Sequence, residues 1–167
     1  PPVWITMGSS SSARPVAQHK HIGAVFLAGY PRIREVFDGY REGYLEAHGE
    51  HAPLDRLAYL GLCYIGENQR EAEEGARKLL WYMESNKVPP EWSNPPGYHP
   101  PAVSANVMRG VTGSGVPTRP TLEQQMARGN VFAGTPDQVF EQMKSFWEYS
   151  GGFGHMLMMG QAGFLSD

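Results

Sequence analysis

One short segment near the start of the chain carries residue types that bind anions in many proteins. The apolar residues 3–7 are followed by a glycine and four serines, residues 8–12, and a helical pattern begins directly after them. The first N–H groups of a helix have no partner within the helix, and the helix dipole adds positive charge there. A strand that leads through small residues into a helix therefore predicts a phosphate site.

The residues of this segment would have different roles in a phosphate site. Gly8 lets the backbone come close to a ligand, and the hydroxyl groups of Ser9, Ser10 and Ser12 are hydrogen-bond donors. The alternative is purely structural, because serine is a common helix-capping residue and Ser11 or Ser12 would cap the helix that follows.

The surrounding chain alternates between strand and helix patterns. Apolar runs predict strands at residues 3–7, 24–28, 57–65 and 156–159, and periodic patterns predict helices at 12–22, 31–48, 67–83 and 136–150. Alternating units of this kind imply a parallel sheet with right-handed crossovers. Four strands form an open sheet or half of an eight-stranded barrel, which takes about 250 residues when complete. The chain begins and ends beside strands, which predicts a piece of a larger domain.

The strand and helix rhythm is interrupted from Asn86 to about Asn130. This segment is rich in proline, glycine and serine, and a segment of this length without regular structure belongs to a functional excursion or to disorder. A short helix is predicted within it, at residues 121–128. We expect the excursion to act as a mobile lid that controls access to a pocket.

Composition and charge exclude several classes of function. A formal net charge of -3 gives no basic surface for nucleic acid, and no apolar run approaches the ~20 residues of a membrane helix. The single cysteine, Cys63, forms no internal disulfide and fits a reducing cytoplasm. His19 and His21 lie two apart on a predicted helix and point to different faces, and no spacing completes a metal site.

Several of these segments match one family in their order. Residues 2–10 read PVWITMGSS, Pro31 opens a long helix, and residues 132–139 read FAGTPDQV, which resembles a helix start of the form G-[ST]-P-x-x-[VI]. With the final HMLMM run at residues 155–159, the chain resembles the C-terminal half of the bacterial luciferase-like flavin-dependent monooxygenases.

This resemblance implies an α/β fold of the TIM (β/α)8 type, to which the chain supplies strands five to eight as a half-barrel. It implies that residues 1–167 belong to one barrel domain, with the segment at about 86–130 inserted between strands seven and eight. Family members bind reduced FMN, or the deazaflavin F420 in one branch. The family's phosphate loop follows strand five and falls on Gly8, Ser9, Ser10 and Ser12. Arg14 is a further candidate contact, with a solvated arginine as the alternative.

The function expected from the resemblance is that of a cytoplasmic monooxygenase, which uses reduced FMN and O2 to oxidise a small organic substrate. A separate flavin reductase is an expected partner. The residues that promote the chemistry are expected in the family's first half, so no catalytic residue is assigned here. Residues at the carboxyl ends of strands face the mouth of such a barrel. They predict a substrate pocket lined by Phe26, Tyr64, Met158, Met159 and Gln161, with core packing as the alternative for the methionines and Phe26.

Three other interpretations remain open at this stage. The first is an F420-dependent oxidoreductase of the same fold. The second is a non-enzymatic, flavin-binding half-barrel that self-associates, because open strand edges must be covered; a homo-oligomer is expected on the same ground. The third is a different α/β enzyme whose serine segment binds a phosphosugar.

Overall fold

A computed structural model of the chain describes residues 1–85 and 120–160. Five strands and five helices lie in these ranges, and a 3-10 turn at Leu54–Arg56 precedes the third strand. No helix in these ranges is long and apolar enough to cross a membrane. The elements in chain order are β1 (Trp4–Thr6), α1 (Ser10–Gln18), β2 (Ile22–Phe26), α2 (Tyr30–His48), β3 (Leu57–Ile65), α3 (Gln69–Ser85), α4 (Leu122–Ala127), β4 (Val131–Gly134), α5 (Pro136–Tyr149) and β5 (His155–Met159).

All strand pairs are parallel, as the alternating pattern predicts. β1 pairs with β2, and β2 pairs with the first half of β3 from Leu57 to Leu60. β5 pairs with β3 from Ala58 to Leu62, and β4 pairs with β3 from Leu62 to Ile65. Strand β3 therefore holds three partners and is the centre of the sheet.

The two edges of β3 are used differently. β2 and β5 occupy overlapping registers on β3, so they lie on opposite edges. On the β2 edge, Leu60 O accepts a hydrogen bond from Leu27 N (3.0 Å), and Leu62 N donates to Asn130 O (3.1 Å). Because alternate residues of a parallel strand direct their backbone groups to the same edge, β4 continues along the edge where β2 ends.

The free edge of β4 is covered by a side chain. The Gln142 Oε1 atom accepts from Ala133 N (3.1 Å), and Gln142 Nε2 donates to Ala133 O (2.9 Å). One carboxamide thus supplies both hydrogen bonds that a neighbouring strand would make to Ala133, which hinders pairing of a foreign strand at that residue.

One face of the sheet, here called the outer face, packs against α1, α2 and α5. Tyr59, Phe132 and Phe146 form an aromatic group within this layer, with the Tyr59 and Phe146 ring centroids 4.5 Å apart. Burial raises the pKa of the Cys63 thiol in the same layer. The outer layer also contains Val25 and Leu57 from the strands, Ala13, Val16 and Ala17 from α1, and Ile33, Val36, Phe37, Tyr40 and Tyr44 from α2.

Among the residues that the structure describes, the opposite face, here called the inner face, is covered only towards the carboxyl ends of the strands. Leu62 and Val131 contact Ala76 and Leu79 of α3 and Leu122 of α4. α3, which periodicity predicts as an amphipathic helix, therefore lies against the inner face and not in the outer layer. Its apolar stripe closes one side of the mouth.

Ring contact between the two outermost strands shows that the sheet curls towards its inner face. The Trp4 ring of β1 and the His155 ring of β5 have centroids 4.9 Å apart. Three strand spacings separate β1 from β5 through β2 and β3, which is about 14 Å in a flat sheet. The strands therefore describe an arc with a concave inner face.

Several predicted boundaries are wrong. The structure describes five strands where the sequence predicts four, because the short β4 lies between the predicted end of the excursion and the next helix, where no element was predicted. Helix α1 begins at Ser10 and ends at Gln18, not at 12 and 22, since Lys20 adopts a left-handed φ of 54° and β2 starts at Ile22. His19 and His21 consequently lie outside the helix, and their rings stack at 5.6 Å instead of pointing apart.

Candidate functional site

The segment of residues 8–12, here called the serine turn, joins the carboxyl end of β1 to the start of α1. Ser9 is the N-cap residue, and its Oγ accepts from Ser12 N (3.2 Å). In return, Ser12 Oγ accepts from Ser9 N (3.0 Å) and Gly8 N (3.1 Å) and donates to Ser9 O (2.9 Å). The capping alternative is thus present in the structure, with Ser9 as the cap in place of Ser11 or Ser12.

The groups that remain available to a ligand therefore differ from those predicted from the sequence. The capping bonds use the hydroxyls of Ser9 and Ser12, whereas the backbone N–H groups of Ser10 and Ser11 have no hydrogen-bond partner in the described ranges. Such N–H groups at a helix start are directed along the dipole towards an anion. Ser11 was missed as a donor, because a sequence does not show which serine begins the helix.

The space and charge around the serine turn fit a phosphate group. A Cβ placed at Gly8 would meet no atom within 4 Å, so the turn is open to solvent on that side. The first turn of α1 carries no acidic residue. Below the turn, the buried Met7 donates its N–H to Ala24 O (2.8 Å), which fixes Gly8 beside β2.

Arg14 does not face the serine turn. Its guanidinium bonds Glu46 (2.6 Å) and Glu42 (2.8 Å) on α2, and the hydrogen bond to Glu46 is the main reason that the pKa of Arg14 is raised. This side chain joins α1 to α2, which supports the alternative of a surface arginine over a phosphate contact.

The inner face beside the serine turn is an apolar wall. Strand register places Phe26, Leu60 and Leu157 in one line across β2, β3 and β5. Phe26 is 49% exposed and Leu157 39% exposed, so both rise from the concave face. Leu60 and Leu157 were not among the predicted pocket residues. The sequence does contain the signal, because alternate residues of a strand share a face: Leu60 lies four residues before Tyr64, and Leu157 lies two before Met159.

The structure brings some of the predicted pocket residues together and separates others. Phe26, Tyr64 and Met159 lie on the inner face, and Tyr64 packs over Gly75 of α3 at the mouth. Met158 is paired with Gly61, whose position faces Phe132 and Tyr59 of the outer layer. Met158 is therefore directed to the opposite side of the sheet from Phe26.

Two predictions concern residues that the structure does not describe. Gln161 lies outside the described residues, as does the part of the excursion from 86 to 119. In the ranges that are described, no three histidine, cysteine, aspartate or glutamate residues are grouped so that they could hold a metal ion.

The loop after β2 lies at the carboxyl ends of the strands and is held in place by hydrogen bonds that involve Tyr59 and Tyr30. Leu27 has a left-handed φ of 45°, which is uncommon for a leucine. The Tyr59 hydroxyl lies 2.9 Å from Gly129 O and 3.2 Å from Ala28 O, and Tyr30 N donates to Arg128 O (2.9 Å). The returning end of the excursion is thereby fastened to the loop beside Phe26.

Comparison with known proteins gives a family and a set of similar folds. A family model described as luciferase-like monooxygenase matches residues 1–152. This match confirms the resemblance identified from the sequence. Comparison with curated protein sequences gives no match.

Three solved structures illustrate the structural similarity. The FMN complex of the oxygenating constituent of 3,6-diketocamphane monooxygenase from Pseudomonas putida has a TM-score of 0.68 at 19% identity, over 95% of this chain and 42% of its own. Monooxygenase RslO1 from Streptomyces bottropensis has a TM-score of 0.67 at 16% identity, and the match covers 99% of this chain and 43% of RslO1. The coenzyme F420-dependent tetrahydromethanopterin reductase from Methanopyrus kandleri has a TM-score of 0.59 at 15% identity, and the match covers 94% of this chain and 44% of the reductase.

These similarities confirm the predicted fold class, a parallel α/β fold of the luciferase-like TIM-barrel type. The chain spans less than half the length of each of the three proteins.

Proposed function

Because the chain belongs to the luciferase-like monooxygenase family, we propose that it forms the C-terminal half of a flavin-dependent monooxygenase barrel. In this proposal residues 1–167 are one part of a single barrel domain, with an insertion at about 86–130. The concave inner face would be the lumen of the barrel. The carboxyl ends of its strands, where the serine turn lies, would be the mouth at which such barrels place their active sites.

The observation that supports this function most directly is the open helix start at the end of β1. Ser10 and Ser11 offer N–H groups without a partner among the described residues, and Gly8 leaves room for an anion. The capping bonds of Ser9 and Ser12 hold the turn in shape. We propose that these residues bind the phosphate of FMN. Reduced FMN would supply two electrons and two protons, so that with O2 one oxygen atom would pass to the substrate and the other to water, leaving oxidised FMN.

The residues of this chain would bind and shield the cofactor. Phe26 lies on the strand next to the serine turn, at the level of Gly8, so a flavin held by its phosphate would meet an apolar wall there. Phe26, Tyr64 and Met159 are the pocket residues that we retain from the sequence. A separate flavin reductase is the proposed source of the reduced cofactor.

The test uses the full-length polypeptide, meaning the longest natural polypeptide that contains this chain. Equilibrium dialysis with FMN, riboflavin and F420 is expected to show FMN bound at least about tenfold more tightly than riboflavin, which lacks the phosphate. Equal affinities for FMN and riboflavin would remove the phosphate site. Tighter binding of F420 than of FMN would instead support the F420-dependent alternative, and a natural polypeptide no longer than this chain would favour a self-associating half-barrel.

A charge placed in the turn tests the location of the site. Gly8→Asp adds a carboxylate where a Cβ has open space, and it is expected to weaken FMN binding about tenfold or more while riboflavin binding stays constant. Gln18→Glu, at the exposed far end of the same helix, adds the same charge and serves as the control. Equal effects of the two variants on FMN would place the phosphate elsewhere.

A further inference from the structure

The Tyr59 hydroxyl joins two segments that are far apart in the sequence. Its side chain is fully buried in the outer layer, and the hydroxyl lies 3.2 Å from Ala28 O and 2.9 Å from Gly129 O. Ala28 belongs to residues 27–29 between β2 and α2, here called the β2 loop, whereas Gly129 lies between α4 and β4. All of these atoms belong to this chain, so the contact does not depend on the rest of a barrel.

Backbone contacts strengthen the same junction. Tyr30 N, at the first residue of α2, donates to Arg128 O (2.9 Å). A Cβ at Gly129 would lie 2.6 Å from the Phe146 ring and 3.0 Å from the Tyr30 ring, and the φ of 78° at this residue also favours glycine. The segment after α4 is therefore held by both rings as well as by Tyr59.

The β2 loop needs such support because of its first residue. Leu27 has a φ of 45°, in the left-handed region that is unfavourable for a residue with a side chain. Its N–H donates to Leu60 O (3.0 Å), and its side chain packs against the inner-face cluster that contains Leu62 and Leu122. Strained backbone persists only where the surrounding contacts hold it, and the bond from Tyr59 acts on the very next residue.

Both ends of the β2 loop lead to the serine turn. Before the loop, Phe26 lies level with Gly8 in the register of β1 and β2. After the loop, α2 carries Gly39, where a Cβ would lie only 2.6 Å from Ser10 Cβ. A displaced loop would therefore move both the apolar wall beside the turn and the helix against which the turn packs.

From these contacts we propose that Tyr59 is a positioning residue of the cofactor site, because its hydroxyl holds the β2 loop in the conformation that keeps Phe26 beside the serine turn. The proposal rests on the proposed function, since it takes the serine turn to bind the phosphate of FMN. Tyr59 packs in the outer layer and Phe26 lies on the inner face, so Tyr59 acts through the loop and does not touch the cofactor.

Two conservative substitutions separate positioning from general stability. Tyr59→Phe and Tyr40→Phe each remove a buried hydroxyl that donates to a backbone carbonyl, but Tyr40 bonds His21 O (2.6 Å), just before β2. FMN affinity of the full-length polypeptide is measured by equilibrium dialysis, and amide exchange by mass spectrometry. Tyr59→Phe is expected to weaken FMN binding at least about fivefold and to speed exchange at the Leu27 and Tyr30 amides at least about fivefold. Tyr40→Phe is expected to change either value by less than about twofold.

The two measurements distinguish failure of this proposal from failure of the proposed function. Unchanged exchange in Tyr59→Phe, or an equal increase in both variants, overturns the positioning role. Faster exchange with unchanged FMN affinity overturns it as well. Absence of FMN binding by the unmodified protein rejects the proposed function, and the exchange rates then decide alone whether Tyr59 holds the β2 loop.

A second variant tests whether the strained residue links the hydroxyl to the loop. Leu27→Gly removes the side chain that makes a φ of 45° unfavourable, so the loop should depend less on Tyr59. In this background Tyr59→Phe is expected to speed exchange at the Tyr30 amide by less than about half the factor measured with Leu27 present. An equal factor in the two backgrounds would show that the hydroxyl does not hold the strained residue, which overturns the proposal.

Discussion

The hydroxyl of Ser12 is the most heavily used side-chain group of the serine turn. It accepts hydrogen bonds from Gly8 N and Ser9 N and donates one to Ser9 O. The neighbouring Ser11 hydroxyl has one bond, to Ser9 Oγ at 2.9 Å. Two serines that are adjacent in sequence therefore differ in what they hold together, although both are exposed.

This difference gives a stability prediction for single residues. Ser12→Ala removes the one acceptor that Gly8 N and Ser9 N share. We expect the free energy of unfolding to fall by about 1–2 kcal/mol, the usual effect of losing a helix cap. Ser11→Ala is expected to lower it by less than about 0.5 kcal/mol. Urea denaturation of the two full-length variants measures both values. Equal losses would mean that the capping box does not stabilise the turn.

At the scale of elements, the position of the serine turn depends on how closely α1 approaches α2. A Cβ at Gly39 would lie 2.6 Å from Ser10 Cβ, and a Cβ at Gly43 would lie 3.0 Å from Arg14 Cα. The two glycines of α2 thus allow the first helix to lie directly on the second. The ion pairs of Arg14 with Glu42 and Glu46 fasten the same contact at the surface.

A methyl group at this contact should affect binding as well as stability. Gly39→Ala pushes Ser10 away from α2, and we expect a loss of about 1–3 kcal/mol in stability together with weaker FMN binding. The control is Gly49→Ala, at the C-cap of the same helix, where a φ of 71° disfavours alanine and no atom lies near the added group. That variant is expected to lose stability, by about 1 kcal/mol, with unchanged FMN affinity. The same FMN affinity in both variants would contradict the argument.

Elements with strong local signals were predicted correctly. Strand β3 has the predicted bounds of 57–65, and α5 begins with the predicted Thr135 cap and Pro136, followed by Gln138 at the capping-box position. The four-residue β4 was missed because Val131–Gly134 is too short to show alternation. The placement of α3 on the inner face was also missed, since periodicity identifies an apolar stripe but not the side of the sheet that it covers.

In the candidate site, too, the local features were predicted from the sequence and the features that depend on hydrogen bonding and strand register were not. The sequence predicted that the serine turn follows a strand and opens a helix, and the structure has it there. Which hydroxyls are consumed by the cap depends on where the helix begins, and that is decided by the reciprocal bonds of Ser9 and Ser12. Met158 and Phe26 lie on opposite faces of the sheet because of the strand register. A shift of β5 by one residue would move each of its side chains to the other face.

For the molecule as a whole, buried tyrosines link folding stability to pH. Burial raises the pKa of Tyr40 to about 12, and burial also raises the pKa of Tyr59. An unfolded tyrosine ionises near pH 10. Above that pH the unfolded chain has lost protons that the folded protein keeps, so the free energy of unfolding falls as pH rises from about 10 to 12.

Removing one ionisable group should make this decline smaller. Tyr40→Phe loses the hydrogen bond from its hydroxyl to His21 O (2.6 Å) and is expected to be less stable at pH 8. Between pH 9 and 11.5, however, its urea midpoint is expected to decrease less steeply than that of the unmodified protein. Parallel slopes for the two proteins would show that Tyr40 ionises alike in the folded and unfolded states.

The three-partner strand β3 also sets an order of events during folding. Its first edge meets β2, which lies nearby in sequence, but its second edge waits for His155–Met159, about a hundred residues later. Until that late segment arrives, the backbone donors and acceptors of one whole edge are open to other chains. During synthesis on the ribosome, the polypeptide is therefore most prone to aggregate while only one edge of β3 is paired. We expect chaperones to be needed most in that interval.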